Sequence, residues 1–86
     1  MNEQKLHKIS ELSATAWKWF KAKDLTDVAE RDDYYWETIT KDIREMVKKS
    51  DKYLKEFNTN LLNTFAGQLQ KDYVDYLGTK QGKLQL

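Results

Sequence analysis

Residues 32–62 read DDYYWETITKDIREMVKKSDKYLKEFNTNLL, and the spacing of their apolar side chains decides the fold. At roughly 100° per residue, Tyr35, Trp36, Ile39, Ile43, Met46, Val47, Tyr53, Leu54 and Phe57 fall within about 120° of arc, interrupted only by the small Ser50. Such a stripe predicts one amphipathic helix over 34–57. Asp32 and Asp33 precede it as N-cap residues, whose carboxylates accept from the free N–H groups of the first turn and complement the positive end of the helix dipole. After Phe57 the stripe jumps: Leu61, Leu62, Phe65, Leu69, Tyr73 and Tyr76 share a face turned by roughly 90°. Asn58, Thr59 and Asn60, whose side chains compete for backbone hydrogen bonds, stand at that jump. The pattern predicts a tight turn there and a further helix over 61–77, ended by Gly78 at the C′ position. A second boundary, at Ser50-Asp51, would let one helix run through Asn58 to Leu77. It puts Asn58, Gln68 and Asp72 on the buried face, and so it ranks behind the first.

Upstream, Ile9, Leu12, Ala16 and Phe20 share one face, with Leu6 and Trp17 on one flank and Trp19 on the other, which predicts a helix over 3–22. Trp17 and Trp19 stand roughly 160° apart around that helix. Both can be buried only if neighbouring helices flank it on both sides. Residues 24–32, DLTDVAERD, form a polar, acidic connection with room for one helical turn. Three amphipathic helices with short connections define an all-α antiparallel three-helix bundle over residues 1–78, followed by a loose tail over 79–86.

The chain has 86 residues, no cysteine, no proline, three glycines and a net charge of +1. Without cysteine there is no disulfide framework, no thiolate nucleophile and no zinc site of the finger or ribbon type. The single His7 has no ligand or triad partner at a telling spacing. Asp72 with Asp75 and Asp33 with Glu37 are carboxylate pairs of a kind common on helix surfaces, and Gly67, Gly78 and Gly82 form no phosphate loop. No catalytic residue, metal ligand set or cofactor site is assigned. No apolar run has the length of a signal peptide or a membrane span, so a cytoplasmic protein is expected.

Charge is unevenly placed. Asp24, Asp27, Glu30, Asp32, Asp33 and Glu37 occur with only Arg31 among them, beside Tyr34, Tyr35 and Trp36. An acidic, aromatic-flanked surface of this kind suits a partner with a basic surface; the plainer reading is a solvated loop whose aspartates cap a helix. Lys41, Arg44, Lys48, Lys49, Lys52 and Lys55 form a basic face that would suit DNA, but acids at i,i+4 spacing, such as Glu37, Glu45 and Glu56, are placed to neutralise it.

The segments Ala16-Trp17-Lys18-Trp19-Phe20, Asp32-Asp33-Tyr34-Tyr35-Trp36 and the Leu61-Leu62 to Leu69 helix resemble small uncharacterised all-α proteins encoded by bacterial prophages and mobile elements. The resemblance implies no activity and transfers no functional residue. It does imply a setting, the bacterial host cytosol, in which small cysteine-free domains bind host or viral proteins, including as inhibitors of host defence. The leading expectation is therefore a non-enzymatic protein-binding module that occludes its partner. Asp24, Asp27, Glu30, Asp32 and Asp33 would meet its basic residues while Tyr34 or Trp19 fills an apolar pocket. Alternatives are a DNA-binding accessory protein using the lysine face, and a homo-oligomer burying Trp19 or the Tyr73/Tyr76 end.

Overall fold

The structure, a computed structural model, describes residues 3–85, with side chains as far as Thr79. It is an all-α three-helix bundle. Helix α1 spans Glu3–Asp24, a 3₁₀ turn covers Val28–Glu30, α2 spans Asp33–Lys49, a second 3₁₀ turn covers Lys52–Leu54, and α3 spans Lys55–Gln85.

Helix α3 is the spine, with α1 on one flank and α2 on the other. Its apolar residues spread over roughly half its circumference instead of a narrow stripe. Leu62 and Leu69, in the middle of that arc, are fully buried. On one edge Phe65 stacks on Phe20 of α1, with ring centroids 4.9 Å apart, and meets Trp17 at 6.2 Å. On the other edge Tyr73 takes Trp36 of α2 at 5.6 Å. Chain direction follows from cross-links that advance in step: Lys8 pairs with Asp51 at 2.7 Å, Trp17 meets Phe65, and Arg31 reaches Leu69. Thus α1 and α3 run parallel, and α2 runs antiparallel to both.

The break between the second and third helices is at Ser50-Asp51, not at Asn58-Asn60, so the predicted helices 34–57 and 61–77 are corrected to Asp33–Lys49 and Lys55–Gln85. The reason lies in the last four carbonyls of α2, which have no partner within their own helix. Ser50 turns extended and its backbone N–H and its hydroxyl both donate to the Val47 carbonyl, at 3.1 and 2.6 Å. The Lys55 ammonium donates to the carbonyls of Val47 and Lys48 at 3.1 and 3.0 Å. Asn58, only 2% exposed, donates from Nδ2 to the Met46 carbonyl at 3.4 Å. The objection to this boundary was a buried Asn58; its amide is buried because it caps the neighbouring helix. Gln68, by contrast, is exposed and Asp72 half-buried, joined by a 2.9 Å hydrogen bond. Tyr53 and Phe57 leave the predicted core stripe and are exposed, at 61% and 37%.

Nor does Gly78 end α3. No described residue has a positive φ, so the left-handed C′ conformation is absent among them, and the helical backbone runs on to Gln85. This C-terminal end is loosely held: Val74 and Leu77 are exposed, and a Cβ added at Gly78 would meet nothing within 4 Å. Helix α1 extends two residues past its predicted end, to Asp24. No described helix is long and apolar enough to cross a membrane.

Candidate protein-binding site

The acidic connection between α1 and α2 is built around a buried cation. Arg31, 3% exposed, spends its guanidinium on three directions. Nε donates to the Thr26 carbonyl at 3.1 Å, Nη1 to the Leu69 carbonyl of α3 at 2.9 Å, and Nη2 to an Asp24 carboxylate oxygen at 3.3 Å. Its remaining face lies over the Tyr35 ring, 5.4 Å from the centroid. A guanidinium suits this role because its donors are fixed in a planar fork and its hydration is weak, so the loss of water on burial is offset by several acceptors held at set angles. Tyr35 in turn donates from its hydroxyl to the Lys23 carbonyl at 3.0 Å, satisfying the end of α1. Burial pushes the Tyr35 phenol above its ordinary pKa of 10.0, opposed by the Arg31 charge.

Two of the acids close the local backbone. The Asp27 carboxylate accepts from Ala29 N–H at 3.0 Å and opens the 3₁₀ turn; the Asp32 carboxylate accepts from Tyr35 N–H at 2.9 Å and caps α2. Edge-to-face contacts of Tyr35 with Trp36 at 4.8 Å and of Trp36 with Tyr73 carry the corner onto α3. The loop is therefore pinned at both ends and in the middle.

This arrangement divides the predicted contact residues. Asp24, Asp27 and Asp32 serve the fold, as the plainer reading of the acidic block had it. Glu30 and Asp33 are exposed, and their carboxylates make no hydrogen bond or ion pair to any described residue. Tyr34 is 76% exposed. Trp19 is not presented as an anchor: half-buried against the core, it donates from Nε1 to Asp42 at 2.9 Å, and the same carboxylate pairs with Lys23 at 3.0 Å. The exposed indole on α1 is Trp17, at 49%. Sequence reasoning missed Leu25, 87% exposed at the start of the loop, and it missed the part played by Arg31. A lone cation among six acids was the available signal for the latter.

On the basic face, none of the i,i+4 pairs read along 37–56 closes to ion-pair distance; among the described residues such bridges form only at His7–Glu11 and Lys71–Asp75. No group of three or more metal-ligating side chains occurs among the described residues. No protein-family model, curated protein or solved structure matches the chain.

Proposed function

We propose that the protein is a non-enzymatic binding module, of the inhibitor or adaptor kind found on phages and mobile elements, whose acidic corner occludes a basic surface of another protein. One observation carries this reading: Arg31 locks the backbone of residues 24–33 while Leu25 and Tyr34 stand 87% and 76% exposed on either side of it. A pre-ordered loop loses little conformational entropy on binding. Leu25 and Tyr34 supply the apolar anchor, a role in which tyrosine is enriched, and Glu30 and Asp33 supply charge for steering and selection.

The test is affinity capture from the native host, followed by titration of the captured protein against variants. Glu30→Lys/Asp33→Lys with Tyr34→Ala should weaken binding at least about 100-fold, as expected for loss of a central anchor plus charge reversal, while circular dichroism shows unchanged helicity. If the captured protein binds that variant as tightly as the wild type, the acidic corner is not the contact surface.

A further inference from the structure

The exposed face of α2 carries a second feature, which meets the acidic corner at Asp33. A shallow trough of about 730 Å³ runs along this face, and Trp36, Glu37, Thr40, Lys41, Arg44 and Glu45 are among the residues that line it. Trp36 forms its apolar wall, half-buried against the core, and its indole N–H has no acceptor among the described residues, in contrast to Trp19. Thr40 lines it too, its hydroxyl turned back to donate to the Trp36 carbonyl at 3.2 Å, so that it offers a short side chain whose polar atom is already satisfied. Glu37 and Arg44 flank it, both exposed, and neither side chain is hydrogen-bonded or ion-paired to any described residue.

We propose that this face is a contact between two copies of the chain, packed with their α2 helices antiparallel about a twofold axis between residues 40 and 41. The sign pattern along the helix selects this occupant. A twofold axis there brings each residue opposite one of the second copy at the same distance on the other side of the axis. Glu37 of each copy then faces Arg44 of the other, so the pair forms twice, as an isologous interface requires. Both members lie on the same edge of the exposed face, roughly 20° apart around the helix, so both can reach across one rim. Thr40 at the crossing admits the close approach of roughly 8–10 Å between axes that packed helices need. The Trp36 rings cover the opposite rim, and the Lys41 ammonium groups extend along their flexible stems to water. Helix α2 is only about 25 Å long, 17 residues at 1.5 Å each. The interface is thus smaller than the about 800 Å² per partner of a standard one, and a weak, concentration-dependent dimer is expected.

Sedimentation velocity over a concentration series, at low salt and at about 1 M salt, where screening acts within about 3 Å, tests the inference. The wild type should pass from monomer to dimer with concentration, with a weaker transition in high salt. Arg44→Glu should remove the dimer, and Glu37→Arg combined with Arg44→Glu should restore it, since the double exchange rebuilds both pairs with signs reversed. Circular dichroism establishes that each variant is folded. A wild type that stays monomeric throughout, a dimer indifferent to Arg44→Glu, or a double exchange that fails to recover association would each overturn the proposal. These variants leave Glu30, Asp33 and Tyr34 unaltered, so the acidic corner is judged separately by its own triple variant.

Discussion

The two connections of the bundle each enclose one buried polar side chain, Arg31 at 3% exposure and Asn58 at 2%, yet they distribute the work differently. Between α1 and α2, a single guanidinium joins the loop backbone at Thr26, the carboxylate of Asp24, the ring of Tyr35 and the α3 backbone at Leu69. Between α2 and α3, the last carbonyls of α2 are shared among Ser50, Lys55 and Asn58. Beside the local caps of Asp27 and Asp32, one residue makes the central tie of the first corner, while the helix-end carbonyls of the second are served by three. On the proposed function, a loop that presents a fixed outline to a partner gains definition from such a tie, at the cost of fragility. A structural turn has no such demand.

The largest effect expected from this difference is that of Arg31→Met. It removes the tie and leaves the Thr26 carbonyl without its donor, and the substitute fills only part of the space. A loss of about 3 kcal/mol follows from one buried charged hydrogen-bond set, a large share of the roughly 5 kcal/mol expected for a domain of this size. Urea unfolding followed by circular dichroism measures it. A loss under about 1 kcal/mol would mean that the corner is held by its caps alone.

Asn58→Ala should cost less, about 1.5 kcal/mol, because only a long 3.4 Å hydrogen bond and some packing are removed while Ser50 and Lys55 continue to serve the neighbouring carbonyls. The same unfolding experiment places the two variants on one scale. If Asn58→Ala proved as damaging as Arg31→Met, the redundancy assigned to the second corner would be wrong.

How far each corner could be read from sequence follows the same division. The N-cap at Asp32 and the face of α1 centred on Ala16 were legible, because capping chemistry and helical periodicity act over a few residues. The α2 to α3 boundary was misplaced because Tyr53, Leu54 and Phe57 happen to continue the apolar phase of α2 across a break. Periodicity weighed against a buried Asn58, whose partner, the Met46 carbonyl, lies on another helix. Arg31 was hidden for a related reason. Its main acceptor, the Leu69 carbonyl, is 38 residues away, and no local pattern encodes a side chain meeting a distant backbone oxygen. The exposed members of the candidate site, Glu30, Asp33 and Tyr34, were named from charge and aromatic content alone. Separating them from Asp24, Asp27 and Asp32 required the loop geometry.

The smallest effect concerns Tyr35, which joins the first corner to the end of α1. Burial raises its phenol pKa, so the folded state holds the protonated form more firmly than the unfolded chain does. A raised pKa of this sort stabilises the fold fully below the unfolded value of 10.0, and that contribution declines as pH rises from there through the folded value. Tyr35→Phe should therefore cost about 1 kcal/mol at neutral pH, from the lost hydrogen bond to the Lys23 carbonyl. It should also lose less stability than the wild type as the solution is made alkaline, because the other tyrosines are common to both chains. Urea midpoints of the two proteins should converge above pH 10. A gap that stays constant across that range would show that the Tyr35 hydroxyl is solvated in the folded state. The first corner would then lack the dry interior on which the Arg31 tie depends, and its contrast with the second would rest on fewer contacts.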